Sequence, residues 1–113
     1  MTTYKILKAA KEHLVLLPGL KTHTDFDITV EIGYHESMGK PLTLKHLLLL
    51  NIASQATVRR HLQRLINDGM VVKHILLNDQ RTVNYTLTEK AHESFRKCVN
   101  QLKSVLYGIA EKG

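Results

Sequence analysis

Cationic and hydrogen-bonding side chains share one side of the stretch from residue 54 to residue 67. On a helix, which turns by about 100° per residue, Arg60 and Arg64 project away from an apolar stripe. That stripe consists of Val58, Leu62, Leu65 and Ile66. Because Arg, Gln and Asn can bond base edges in a DNA major groove, the pattern predicts a helix that packs by one face and offers the other to DNA. The alternative is a core helix with an ordinary solvated face.

The start of this helix carries further residues suited to DNA contact. Ser54 is a preferred N-cap, and residues 55–57 form a slim tip that can approach another surface closely. Asp68 and Gly69 end the helix, with a glycine in the position that favours the left-handed region. The DNA contacts that we expect on this helix are Ser54, Gln55, Thr57, Arg59, Arg60, His61 and Arg64.

Catalytic and metal-binding patterns are absent from the sequence. The seven histidines show neither HxxxH nor HExxH spacing, and Cys98 has no CxxC partner, so we predict no metal site. The sequence also lacks a G-x-S-x-G nucleophile motif and a glycine-rich phosphate loop. We therefore expect neither an enzyme nor a bound cofactor. Cys98 could serve as a redox sensor, but its place on an apolar helix face favours a small core residue.

Length, charge and composition favour one domain with a polyanionic partner. The chain has 113 residues, of which 43% are hydrophobic, so it can bury a modest core. Its net charge of +6 and pI of about 9.6 favour a nucleic acid or an anionic membrane surface as partner. No apolar run approaches the roughly 20 residues that span a bilayer. A single cysteine and the lack of a signal-peptide pattern predict a cytoplasmic protein.

The first element that we expect is a basic helix over residues 4–17. Its apolar side chains are spaced as on one helix face, and Pro18 and Gly19 end it. A helix of this kind can lie on a membrane surface. We expect instead that it covers a core or a partner subunit.

The next segment gives two conflicting signals. Alternating apolar residues from Phe26 to Tyr34 favour a strand. Thr24 or Asp25 could instead cap a helix that runs to about Ser37. The elements that follow favour the helix, which is our prediction.

A short helix followed by a tight corner precedes the stretch described first. Thr43 is the expected N-cap of a helix over about residues 44–50, whose four consecutive leucines require burial on most sides. Asn51 then occupies the corner, because asparagine tolerates the left-handed conformation. The short helix, the corner and the polar-faced helix form a predicted helix-turn-helix.

A β-hairpin is expected directly after the helix-turn-helix. Residues 71–77 form an apolar, β-branched run, residues 78–80 have turn composition, and residues 82–87 alternate. A hairpin in this position is a wing, which lays a cation along the DNA backbone or into the minor groove. The cations available there include Lys73 and Arg81.

The last element is a long helix over about residues 88–110, with Thr88 as its N-cap. Its apolar residues recur at spacings of three and four, which is a heptad seam. We interpret the seam as a dimerisation surface, although a helix that only covers its own domain needs a stripe as well. The seam residues are Ala91, Phe95, Cys98, Leu102, Val105 and Ile109.

The segment from residue 42 to residue 88 resembles the winged helix-turn-helix of MarR-type bacterial transcription regulators. The matching pieces are Leu42-Thr43, Ser54-Gln55-Ala56-Thr57-Val58 and the D-x-R wing signature Asp79-Gln80-Arg81. The resemblance implies that the second helix enters the major groove, that the wing arginine, held by the aspartate, enters the minor groove, and that terminal helices join two subunits. It assigns the DNA roles to Thr57, Arg60, Arg64, Asp79 and Arg81. A small-molecule effector is compatible with the resemblance, but no residue pattern supports one.

Together these patterns predict a mainly α protein with a small β-hairpin (α+β), in which residues 1–113 form a single winged-helix domain with flanking dimerisation helices. We expect a homodimeric, sequence-specific regulator that binds double-stranded DNA and represses by covering a promoter. Two alternatives stay open: a winged-helix module that binds other proteins, and a replication or partition protein that binds DNA without regulating genes.

Overall fold

The computed structural model describes residues 2–15, 19–77 and 82–111. Within these ranges the chain is mainly helical, with one antiparallel hairpin, as the sequence predicts. In chain order the elements are α1 (Thr2–Val15), α2 (His23–Ser37), α3 (Leu44–Leu49), α4 (Gln55–Asn67), β1 (Val71–Ile75), β2 (Val83–Leu87) and α5 (Glu89–Glu111). None of the helices in these ranges is both long and apolar enough to cross a membrane.

Local sequence signals determine where α3 and α4 begin and end. Thr43 and Ser54 cap the two helices, and each side-chain oxygen accepts the backbone N–H three residues later. Asn51 forms the corner with a φ of 55°, which is the left-handed region that asparagine tolerates. Gly69 ends α4 with a φ of 75°, where a residue with a β-carbon would be strained. The predicted helix-turn-helix is confirmed.

The segment from Phe26 to Tyr34, which gave signals for both a strand and a helix, is part of the helix α2, as predicted. Ile28 and Ile32, four residues apart, are both completely buried, whereas Val30 and Tyr34 are exposed. The alternating apolar residues therefore lie on two faces of a helix. One set faces the core and the other faces solvent.

The start of α2 differs from the expectation. Thr22 is the N-cap, since its Oγ1 accepts the N–H of Asp25 at 3.1 Å, and α2 begins at His23. Thr24 and Asp25, the two caps that the sequence suggested, lie inside the first turn. Thr22 was overlooked because the apolar alternation starts only four residues later.

The core lies between α2, α3, α4, the hairpin and the start of α5. In β2, Tyr85 and Leu87 face this core, and the Tyr85 N–H donates to the Leu42 carbonyl at 3.0 Å, which joins the hairpin to the start of the helix-turn-helix. Gly33 allows α2 to approach β2, because a β-carbon there would lie 2.9 Å from a methyl carbon of Leu87. The expected turn at residues 78–80 lies outside the described residues.

α1 packs chiefly against α5 and contributes none of its described side chains to the core. The molecule is elongated and measures 58 × 25 × 22 Å. Its radius of gyration is 16.1 Å, against about 13 Å for a compact domain of about 100 residues.

The seam of α5 is used in part within the single chain. Ala91 is completely buried and Cys98 is 6% exposed, so neither offers appreciable surface to a second subunit, contrary to our expectation for these two residues. Phe95 packs partly against the core. Leu102 and Val105 are half-buried and continue the apolar stripe further along the helix. The side chain of Ile109 lies outside the described residues.

Candidate nucleic-acid interface

α4 is held by its apolar face and exposes most of its polar face. Val58, Leu62 and Leu65 are buried, as the sequence predicts. At the start of the helix, Ser54 Oγ donates to Thr57 Oγ1 at 2.8 Å, which fixes the hydroxyl that α4 presents beside its first turn. The exposed polar residues of this face are Ser54, Gln55, Arg59, Arg60, Gln63 and Asn67.

Arg59 and Lys73 lie together between α4 and the hairpin. Both line a small cavity of about 120 Å³, beside the buried ring of Tyr85. Burial raises the pKa of the Tyr85 hydroxyl, and the nearby charge of Arg59 acts in the opposite direction. The two cations that the sequence placed on separate elements are therefore neighbours on one surface. On the adjacent wing surface, His74 Nε2 lies 2.8 Å from Thr86 Oγ1.

A buried carboxylate lies behind this surface, and sequence reasoning assigned it no role at the site. Asp25 is 0% exposed and is bonded both to the loop before α2 and to α4. Its Oδ2 accepts the backbone N–H of Lys21 at 2.8 Å and also binds the Arg64 guanidinium. Its Oδ1 lies 2.8 Å from Nδ1 of His61. One side chain of α2 thus holds two side chains of α4.

The charged form of Asp25 is favoured in the folded chain. Burial alone raises the pKa of a carboxyl, but the bonds from His61, the Lys21 N–H and Arg64 outweigh it. Together they hold the pKa of Asp25 below its ordinary value of 3.8. The cluster is therefore an ionic contact between α2 and α4, with the carboxylate completely buried.

Arg64 differs from the expectation that it projects freely towards DNA. Its guanidinium is bonded to Asp25 and lies 3.3 Å from the Asp68 carboxylate, and its side chain is only 28% exposed. His61 is likewise turned to Asp25, with 16% of its side chain exposed. The cause is the position of both residues on the flank of α4 that faces α2.

The signal for Asp25 was present in the sequence. Positions 25, 28, 29 and 32 share one helical face, and all four are buried. A carboxylate on a core face requires a cationic or hydrogen-bonding partner. His61 and Arg64, three residues apart on the flank of another helix, supply it.

Two of the predicted DNA contacts belong to the predicted wing. Asp79 and Arg81, the residues of the D-x-R signature, lie outside the described residues. The strands that lead to them are paired from Val71 with Leu87 to Ile75 with Val83. The hairpin that would carry them as a wing is therefore formed.

Comparison with known proteins relates the chain to regulators through its fold. No family model and no curated protein matches the sequence. RV1404 from Mycobacterium tuberculosis is similar in structure at a TM-score of 0.79 and 15% identity, covering 98% of this chain and 73% of that one. The transcriptional regulator Tm0710 from Thermotoga maritima is similar at a TM-score of 0.76 and 23% identity, covering 97% and 73%. A mutant MarR from E. coli complexed with operator DNA is similar at a TM-score of 0.64 and 22% identity, covering 99% of this chain and 76% of that one.

These similarities extend over nearly the whole chain, including α1 and α5. The chain therefore has the winged helix-turn-helix fold of MarR-type transcription regulators, as the resemblance of residues 42–88 implied.

Proposed function

We propose that the protein is a sequence-specific DNA-binding transcription regulator, that it is not an enzyme, and that it acts in the cytoplasm. The observation that carries the proposal is the exposed face of α4, where Gln55, Arg59 and Arg60 stand on a helix anchored by its opposite face. Arginine and glutamine are the side chains that read guanine and adenine edges in the major groove. A MarR protein of similar fold is complexed with operator DNA, which supports DNA as the ligand.

The basic residues around α4 support a polyanionic ligand. Lys45, Arg59, Arg60 and Lys73 are all exposed and come from α3, α4 and β1. Cations from several elements can bind phosphates on both sides of a groove, which positions the helix without itself reading sequence. We propose that Asp79 and Arg81 extend this contact to the minor groove.

We further propose that two copies associate through α1 and α5. Exposed apolar side chains remain on both helices, among them Tyr4, Leu7, Val99 and Tyr107. Apolar side chains that stay exposed on two packed helices suit a subunit interface. A homodimer would bring two copies of α4 to half-sites about one helical turn of DNA apart, near 34–36 Å. Such a dimer represses transcription by covering a promoter.

Selection of bound sequences from a random duplex pool tests the proposal. A dimeric regulator should enrich a palindrome whose half-sites are separated by about one helical turn. Exposed Leu49 and Leu50 at the end of α3 favour the competing function, a module that binds other proteins. A pool that stays random after repeated selection would exclude the sequence-specific regulator. It would leave the protein-binding module and the replication or partition protein.

A further inference from the structure

The contact between Asp25 and α4 uses both carboxylate oxygens. His61 binds Oδ1 and Arg64 binds Oδ2, and these two residues lie on one flank of α4 because they are three positions apart. Asp25 itself is fixed, since its N–H is bonded to Thr22 and its Oδ2 accepts the N–H of Lys21. A carboxylate held in this way resists both rotation and sliding of α4 along α2.

The same contact neutralises one cation of α4. Arg64 lies between the carboxylates of Asp25 and Asp68. Arg60, four residues earlier on the same side of the helix, is exposed and forms no ion pair with any residue that the structure describes. Side chains four residues apart are about 5–6 Å apart at their β-carbons. Arg64, if released, would therefore project from the same face as Arg60.

We propose that Asp25 is a positioning residue of the DNA interface, which fixes the face that α4 presents and keeps Arg64 away from the DNA phosphates. The inference rests on the proposed function, because it concerns how α4 meets DNA. The positioning role of Asp25 differs from a purely stabilising role in one respect. A stabilising carboxylate affects folding, whereas this one also determines how many cations reach the phosphates.

The salt dependence of binding to a random-sequence duplex tests whether Asp25 keeps Arg64 away from the phosphates. Asp25→Asn removes the charge that holds Arg64 but keeps the shape of the side chain. If Arg64 then binds a phosphate, the slope of log K against log salt becomes steeper by about 0.9 per bound protomer, or about threefold in affinity between 50 and 200 mM salt. Asp27→Asn is the matched control, because Asp27 is exposed on the same helix and its substitution changes the net charge equally. Equal slopes for the two variants would overturn this half of the inference.

A double variant separates release of Arg64 from general damage. Asp25→Asn/Arg64→Gln should restore the wild-type slope, because the released cation is gone. A slope that stays steep without Arg64 would show that another group causes it and would contradict the inference.

Discrimination between the selected site and the random duplex tests the fixed face of α4. Both variants that lack Asp25 should lose about fivefold or more in this ratio, which is the discrimination of one base pair. Asp27→Asn should keep the ratio. Unchanged discrimination in Asp25→Asn would overturn the positioning role.

Substitutions of two arginines keep the inference testable if Asp25→Asn does not fold. In the otherwise wild-type chain, Arg64→Gln should leave the salt slope unchanged, whereas Arg59→Gln, at an exposed position on α4, should make it shallower by about 0.9 per protomer. An equally shallower slope in both variants would show that Arg64 already binds phosphates. Wild-type protein that binds no duplex would overturn the proposed function and this inference together, whereas binding with the wrong slopes overturns the inference alone.

Discussion

Glu36 Oε2 lies 2.8 Å from Nε2 of His92 and joins the end of α2 to the first turns of α5. The other oxygen of Glu36 accepts the backbone N–H of Leu87, the last residue of β2, at 2.8 Å. Since β2 runs into α5 through Thr88, one carboxylate fixes the direction in which α5 leaves the wing. α2 therefore carries an acidic anchor near each end, with Asp25 bound to α4 and Glu36 bound to β2 and α5.

Replacing Glu36 by alanine should destabilise the fold by about 1–3 kcal/mol, because the part-buried N–H of Leu87 loses its acceptor. Urea unfolding measures the change. Glu31→Ala is the control on the same helix, since Glu31 pairs with His35 across 3.5 Å and both side chains are partly exposed. Its effect should stay below about 0.5 kcal/mol. Equal losses in the two variants would mean that the Leu87 bond contributes nothing specific.

Replacing Leu102 by lysine should convert the proposed dimer into monomers. Leu102 is half-buried in the single chain and lies on the apolar stripe of α5, so a lysine there would place an unpaired charge in the interface. Light scattering at micromolar concentration measures the mass. Gln101→Lys, which adds the same charge at an exposed neighbouring position, should leave the dimer intact. A wild-type protein that is already monomeric under these conditions would rule out the interface.

The ends of helices were predictable from the sequence where a few neighbouring residues determine them. The caps Thr43 and Ser54, the corner Asn51 and the terminating Gly69 each act through the backbone of adjacent residues, and the structure places them as expected. The helix period of α4 and the alternation of β2 also follow directly from the residue order.

Pairings between distant elements were not predictable in the same way. Asp25 lies 39 residues before Arg64 in the chain. Nothing in the local pattern of α4 indicates that a carboxylate of another helix contacts its flank. For this reason the sequence did not predict the ion pair between Arg64 and Asp25. Similarly, the heptad spacing of α5 does not reveal that Ala91 and Cys98 are covered by the chain itself.

The buried ion pair of Asp25 should make the fold sensitive to acid. Its pKa lies below 3.8 in the folded chain, so it stabilises the fold above that pH. This contribution is lost as the pH falls through the lowered pKa. The stability gap between the wild type and Asp25→Asn should therefore shrink as the pH falls below about 4. Urea unfolding over this range measures the gap, with Asp27→Asn as the control for charge. A constant gap would show that the charge of Asp25 does not stabilise the fold.

Arg60 and Arg81 should differ in what they recognise. Arg60 is exposed one turn after the tip of α4, where its guanidinium can bond O6 and N7 of one guanine. Arg60→Ala should cost about 1–3 kcal/mol on the selected site and relax preference at one base pair of each half-site. Arg81 follows the predicted tip of the wing and should bind backbone or a narrow minor groove. Arg81→Ala should weaken selected and random DNA more nearly alike and make the salt dependence shallower.

Titrations of both variants on selected, singly substituted and random duplexes separate reading from positioning. Lys5→Ala on α1 is the control, because it removes an exposed cation outside the helix-turn-helix and should leave base preference unchanged. If Arg60→Ala lowers affinity uniformly while base preference persists, Arg60 binds phosphate and the reading role passes to Gln55 or Thr57. Arg64, which is also on the predicted face, could take over that role only after losing Asp25, because its guanidinium is bound to that carboxylate in the folded chain.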